Sequence, residues 1–341
     1  MKIAFLNIYN GLVERGSEVF VSEMADGLSR NHHVAVFQSG KKTKDYQKSV
    51  KHIPYIKNQN LLYDFAVFLF TLKCLPSLWN GKYDWIIPVN GPFQALLIRI
   101  LIFFRGGKML ISGHAGVGRE DRLNIILGSP DIFIALSPLA LNWALKFTDK
   151  VKYIPNGVNC TKFTPDGKKA DINLKKPVIL INSALLPYKR IDLAIKAVVK
   201  LENTSLLIIG TGPLKKEIED LGKRLLHEKF QLIPKVSYDK IPEYYRSASL
   251  FTLPSMESEA FGLVYLEALS SNVPVVAPND ANRREIIGAG GILCHVEDEN
   301  DYKKALIKSL NQNWGHNPRL QAEKFCWEKI VKEYEKVFNQ A

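Results

Sequence analysis

Two carboxylates, a lysine and a short run of helix-start amides supply the chemistry to follow along these 341 residues. In SMESEAFGLVYLEALSSNVPVVA, Ser255 to Ala260 is polar and an apolar helical pattern starts near Phe261. That pattern places Glu259 at the mouth of a helix and Glu267 about two turns inside it. Between them, Phe261, Gly262 and Leu263 offer amides at which an anion gains hydrogen bonds and a favourable dipole. Gly262 has no side chain to hold a phosphate away. Carboxylates accept hydrogen bonds well, and Lys189, in LLPYKRIDLAIKA, is a candidate cation that taken alone also reads as a solvated lysine. Arg190 serves either as a phosphate contact or as a surface cation. Taken alone, Glu259 also reads as a helix cap and Glu267 as a surface residue.

The elements that must position these groups follow an alternating pattern. MKIAFLNIY reads as a strand, Gly11 to Gly16 as a turn, and SEVFVSEMADGLSR as a helix with apolar Val19, Phe20, Met24 and Leu28. HHVAVFQSG, YDWIIPVNG, KMLISGHAG, DIFIALSP and KVKYIPNG continue the strands, and a second array runs from KPVILINS to GGILCHV. Short apolar strands alternating with helices predict parallel sheets covered on both faces, an α/β fold of two Rossmann-like domains. The polar stretch Phe163 to Lys176 marks the boundary. The expected domains are residues 1–163, 164–317 and a C-terminal helical segment, 318–341, returning to the first domain. The carboxyl ends of both sheets are expected at a central cleft.

Composition narrows the function classes. With 46% hydrophobic and 23% charged residues, 22 Gly and 17 Pro, the chain reads as globular. Charge-free runs reach only 14 residues, Trp85 to Ile98 and Ile132 to Leu145, which predicts no membrane crossing. The apolar start lacks a small-residue cleavage site and reads as a buried first strand. Cys74, Cys160, Cys294 and Cys326 have no metal or redox-pair spacing and read as reduced thiols of a cytoplasmic protein. Net charge is +12, and residues 1–165 carry 20 Lys+Arg against 11 Asp+Glu. That half also holds the apolar stretches Leu61 to Trp79 and Ala95 to Lys108, which read either as two buried helices beside a basic surface or as a surface for an anionic membrane. No nucleic-acid motif accompanies the charge, so nucleic acid is not an expected partner. A dinucleotide enzyme is set aside because no GxGxxG follows the first strand.

Glu259 to Glu267, E-A-F-G-L-V-Y-L-E, resembles the E-x7-E signature of the large retaining glycosyltransferase family 4 (glycosyl transferases group 1), whose members have the two-domain GT-B fold. RGSEVFVSEMADGLSR, IPNGVNCTKFTP, LLPYKRIDLAIKA, LLIIGTGPLKKEIEDL and FCWEKIVKEYEKVF match further blocks in the family's order. The resemblance implies that Glu259 contacts donor-sugar hydroxyls, Glu267 the ribose and Lys189 the diphosphate. Eight helical residues, about 12 Å, are of the order of the hexose-to-ribose separation in a nucleotide sugar. His114, in GHAGVGRED, matches a histidine that points toward the donor sugar, and Val236 falls where the family's backbone meets the base. Gly16, at the start of the first helix, allows close approach to phosphate, and Gly210 and Gly212 let the chain pass beneath the nucleotide. Arg119 serves an acidic acceptor or an ion pair, and Glu285 reads as a cap or salt bridge. One departure stands out: the family's G-R-L before the lysine block is here Ser183, Ala184 and Leu185, so the arginine position is alanine.

The function this implies is transfer of a hexosyl group from a UDP- or GDP-linked sugar to an acceptor hydroxyl with retained anomeric configuration. No DxD occurs in the chain, in line with transfer that needs neither metal nor cofactor. Expected partners are the nucleotide-sugar donor, a glycan or lipid-linked acceptor and an anionic membrane surface. The expected setting is the cytoplasm or the inner face of its membrane, in the synthesis of envelope polysaccharide, lipid-linked glycan or glycolipid. The alternatives are a nucleotide-sugar epimerase or phosphorylase on the same fold, or a non-catalytic nucleotide-sugar-binding protein.

Overall fold

The computed structural model describes residues 1–13, 15–56, 61–257 and 259–340. In the first half the order is β1 (Lys2–Leu6), α1 (Gly16–Leu28), β2 (His33–Gln38), β3 (Gln47–Ser49), α2 (Leu61–Gly81), β4 (Trp85–Pro88), α3 (Pro92–Arg105), β5 (Lys108–Ser112), α4 (Arg119–Gly128), β6 (Ile132–Ala135), α5 (Pro138–Ala144) and β7 (Val151–Tyr153). The second half holds β8 (Val178–Asn182), α6 (Ile191–Val199), β9 (Ser205–Ile209), α7 (Lys215–Leu226), β10 (Phe230–Ile233), α8 (Ile241–Ser247), β11 (Leu250–Thr252), α9 (Leu263–Ser270), β12 (Val275–Pro278), α10 (Ala281–Ile287), β13 (Gly291–Cys294), α11 (Glu299–Asn311), α12 (Asn317–Ala322) and α13 (Trp327–Gln340).

The expected α/β architecture is present. Strands β3-β2-β1-β4-β5-β6-β7 form one parallel sheet and β10-β9-β8-β11-β12-β13 another. β3 escaped the sequence reading because Gln-Lys-Ser at a sheet edge carries no apolar signal. In each sheet the chain winds outward from its first strand, then returns to that strand's other side, at β1/β4 and β8/β11. Loops leaving the carboxyl ends diverge there, which opens a crevice above the sheet.

The chain divides into Met1–Asn156 with Trp327–Ala341, and Gly157–Cys326. This moves the predicted boundaries of 163/164 and 317/318. The polar stretch that marked the first boundary lies inside the second unit, because Phe163 is buried there and its carbonyl accepts from Ser270 and Arg319. α12 also packs on α9 of that unit. The return to the first unit is made by α13, whose Trp327 and Tyr334 stand 6.1 and 5.9 Å from Phe20, and whose Tyr334 hydroxyl meets Ser112 at 3.1 Å.

Two expectations need correction. Cys160 and Cys326 are joined as a disulfide, which their 166-residue separation concealed; Cys74 and Cys294 are buried thiols. In addition, charge-free runs were too strict a ruler for α2. Its 21 residues are long and apolar enough to cross a membrane by length and composition, with only Asp64 and Lys73 charged, although Ala66, Val67, Phe70, Thr71, Cys74 and Leu78 are buried. Ala66, Val67, Phe70, Cys74 and Leu78 belong to the first unit's core.

Candidate active site

Two of the predicted donor-site residues, Lys189 and Glu259, meet on adjacent strand ends of the second unit, beside groups that the sequence did not single out. The loop after β8 carries Lys189 in a 3-10 turn, the loop after β11 carries Ser255 and Glu259, and Asp280 and Arg283 follow β12. These are the strands beside the β8/β11 switch point, so the topology alone brings residues 70 and 94 positions apart within reach.

Lys189, though only 8% exposed, is ion-paired with Glu259. Arg283, at 0% exposure, lies 3.4 Å from the other Glu259 oxygen and 2.8 Å from Asp280, and donates to the Ser255 hydroxyl at 2.8 Å and the Met256 carbonyl at 3.0 Å. Burial pushes the Glu259 carboxyl up, but the charge and hydrogen bond of Lys189, the Ser255 hydroxyl and Arg283 together hold it below its ordinary value. Glu259 is thus an ionised acceptor framed by two cations. It is not a helix cap, because α9 begins four residues later at Leu263 with Gly262 before it at φ +92°. A β-carbon on Gly262 would meet the Tyr265 ring at 2.7 Å, a clash, and the Glu259 carboxyl carbon at 3.7 Å, an ordinary contact, so the position is close to both. Phe261 is buried, and Leu263 opens the first turn of α9, where amide donors have no partner within the helix. Ser258 lies outside the described residues.

Glu267 is also buried, not a surface residue. Its carboxyl group accepts from Tyr245 at 2.9 Å and from Tyr238 at 3.5 Å, and burial pushes it up to about 7. Arg190 occupies a bracing position. It donates to the carbonyls of Pro254 at 2.7 Å and Ser255 at 3.2 Å and pairs with Glu297, so its guanidinium ties the β8 and β11 loops together. Gly210 and Gly212 make room for the chain itself: added β-carbons would fall 1.9 Å from the Ser183 carbonyl and 2.4 Å from that of Leu185. Val236 is half-buried in the loop after β10, and Ala184 is exposed.

In the first unit, Gly16 is the exposed first residue of α1 and Arg119 the exposed first residue of α4. His114 follows β5 and rests on Phe20, ring centroids 4.4 Å apart. Burial pushes it down to about 4, which makes it a neutral imidazole at pH 7, and its Nε2 has no partner. Two groups escaped the sequence reading. Asp121 lies under the same turn, bonded by Asn124 at 3.1 Å and pushed up to about 7 by burial. Arg283 was passed over within NRREIIGAGG in favour of Glu285; its available signal was the three-residue spacing from Asp280, which caps α10 and pairs with it. Among the described residues no group of three or more His, Cys, Asp or Glu is placed to hold a metal ion.

Two family models account for most of the chain. The Glycosyltransferase Family 4 model matches residues 15–162 and the Glycosyl transferases group 1 model residues 163–324. The chain belongs to this glycosyltransferase family. An uncharacterised glycosyltransferase of Haemophilus influenzae is 27% identical over 96% of this chain and 93% of its own length. Other curated relatives are matched over less of their length: the chain spans 47% of an uncharacterised glycosyltransferase of Methanocaldococcus jannaschii, at 29% identity. It also spans 47% of a GDP-mannose-dependent phosphatidylinositol monomannoside mannosyltransferase of Corynebacterium glutamicum, at 27% identity. Among solved structures, sucrose-phosphate synthase of Thermosynechococcus elongatus superposes with a TM-score of 0.83 at 18% identity, covering 99% of this chain and 98% of that one. Anabaena HepE, solved with UDP and glucose, gives 0.79 at 17% identity over all of both chains. These likenesses establish the fold of this glycosyltransferase as GT-B.

Proposed function

We propose that this glycosyltransferase moves a hexosyl group from a UDP- or GDP-linked sugar to an acceptor hydroxyl, with retention and without a metal, in the synthesis of envelope polysaccharide, lipid-linked glycan or glycolipid. The observation that carries the reading is the buried Lys189–Glu259–Arg283 constellation beside the α9 start, at the switch point of the second sheet. An ionised carboxylate held between two cations suits sugar hydroxyls, and a lysine beside helix-start amides suits a diphosphate. Ribose hydroxyls fall to Glu267, the donor sugar also to His114, and the acceptor to the first unit.

In the transfer step the glycosidic bond to the diphosphate breaks as the acceptor oxygen attacks the anomeric carbon from the same face. The acceptor's proton passes to a departing phosphate oxygen. Lys189, with the α9 amides, stabilises the negative charge that grows on the diphosphate, in place of a metal ion. The names of relatives support a nucleotide-sugar donor, since HepE was solved with UDP-glucose and the Corynebacterium relative uses GDP-mannose.

A thermal-shift screen over UDP-, GDP- and ADP-sugars tests the donor, because a ligand that prefers the folded state raises the melting temperature. The proposal expects one nucleotide sugar to stabilise the chain and its diphosphate to be released only when an acceptor is added. Release without acceptor, or interconversion of the sugar, would point to the epimerase or phosphorylase alternative. Tight binding with no turnover across acceptors would point to a binding protein.

A further inference from the structure

α2 is apolar on two opposite faces. One face enters the core, while Leu61, Phe65, Phe68, Leu72 and Trp79 stand on the opposite side. Their spacing of 4, 3, 4 and 7 residues keeps them on a single stripe, about 27 Å long at 1.5 Å per residue. Leu61 is 86% exposed and Phe65 58%. α3 packs beside α2 and repeats the arrangement with Phe93, Ile100, Phe103 and Phe104, the last two 80% and 71% exposed. Both helices cross back from one parallel strand to the next, so they run the same way and their carboxyl ends meet at the amino edge of the sheet.

A basic cluster borders the stripes at that edge. Arg105 donates to the Tyr83 carbonyl at 2.6 Å and Lys2 to the Gly81 carbonyl at 3.4 Å, while Lys48, paired with Phe37 further along the sheet, reaches the Tyr83 hydroxyl at 3.1 Å. Lys82 is exposed beside them, and the Lys108 ammonium lies 5.8 Å from the Trp85 ring. One carboxylate, Asp84, stands among these five cations and accepts from the Lys2 amide. Adjacent aromatic stripes ending in cations match an interface whose apolar layer is edged by anionic headgroups. A second copy of the chain is a poorer match: the first unit carries 22 Lys+Arg against 14 Asp+Glu, an excess that repels a like-charged copy and attracts anionic headgroups.

We propose that the outer faces of α2 and α3 dock flat on an anionic lipid bilayer, with the aromatic stripes in the interfacial layer and the Lys82–Lys108 cluster among headgroups. The helices lie on the membrane and do not span it, because α2's other face is committed to the core. The stripe begins at Leu61 and Phe93, on the edge where the strand carboxyl ends and His114 lie, so a lipid-linked acceptor would be presented there. This deepens the transfer reading by naming the surface that meets the acceptor's membrane.

The test is co-sedimentation with vesicles of phosphatidylcholine alone or mixed with phosphatidylglycerol, at low and high salt and without donor. Wild type is expected to bind only the phosphatidylglycerol vesicles and to be released by salt. Trp79 fluorescence is expected to be quenched by acyl-brominated lipid, with the quenching lost in Trp79→Phe. The combined variant Leu61→Gln, Phe65→Gln, Phe103→Gln, Phe104→Gln is expected to lose binding at least tenfold with unchanged melting temperature and nucleotide affinity. Wild type left in the supernatant, equal binding by the variant, or a wild-type dimer that the variant converts to monomer would overturn the proposal. Vesicle binding is read without donor, so a failed donor screen and a failed docking test are separate outcomes.

Discussion

Glu259 and Lys189 form one ion pair but are proposed to serve different parts of a donor, and that difference is measurable. Glu259→Ala removes hydroxyl contacts, so calorimetry is expected to show a larger loss for the intact nucleotide sugar than for the free nucleoside diphosphate. Lys189→Ala is expected to weaken both and to slow turnover tenfold for each 1.4 kcal/mol of lost transition-state stabilisation. Equal losses for both ligands in the Glu259 variant would remove its assignment to the sugar. Glu267 supplies a pH test. Burial raises its folded value from 4.5 to about 7, so between those values the folded chain keeps a proton that the unfolded chain releases. Stability is therefore lost as pH rises through that window. The melting temperature of Glu267→Gln is expected to gain on wild type between those pH values and to hold a constant difference above them; a pH-independent difference would contradict the assignment. Both glutamates were legible as candidates from the nine-residue motif. Apart from Lys189, their partners were not, since Arg283, Tyr245 and Tyr238 reach them across loops that no local spacing relates.

The site depends on loops that adjacent strands bring together. Arg283 holds the β11 loop to α10 through Ser255, Met256 and Asp280, so Arg283→Ala leaves Asp280 without its cation and Glu259 with Lys189 alone, and is expected to cost about 3–5 kcal/mol. Chemical denaturation checks this, and a loss within the ordinary range of surface substitutions would show the constellation to be dispensable for folding. The glycines after β9 fix the loop after β8. Gly212→Ala would place a methyl group 2.4 Å from the Leu185 carbonyl, part of the backbone that leads to Lys189. It is expected to destabilise the chain by about 1–3 kcal/mol and also to weaken diphosphate binding, as the loop shifts to make room. A variant as stable as wild type would show that the loop yields easily.

Over the whole molecule, the chain passes twice between its two units, at 156/157 and 326/327, and on the second unit's side of those passages lies the Cys160–Cys326 disulfide. Val158 also bridges to Cys326 there. Thiol titration in denaturant without reductant is expected to find two reactive cysteines, Cys74 and Cys294, and four after reduction; four at the outset would refute the pairing. Reduction is also expected to lower the melting temperature, since the bond closes a long loop in the unfolded chain.

Hydrophobic alternation was enough to specify the two parallel sheets and most of their strands, because a strand buried on both faces must be apolar along its length. It missed β3, which sits at an edge and needs no such pattern. The motif Glu259 to Glu267 likewise marked the start of α9, because helix-start chemistry is local. Strand order was not local. β8 lies between β9 and β11, and that placement brings Lys189 to Glu259 and makes a brace of Arg190. Burial was not local either: it made Glu267 and Asp121 weak acids and left His114 neutral, although each is a common polar residue in sequence. Apolar composition marked α2 and α3 without saying which side chains face water. Only packing against the sheet, which covers one face of each helix, separated the core residues from the outward stripes.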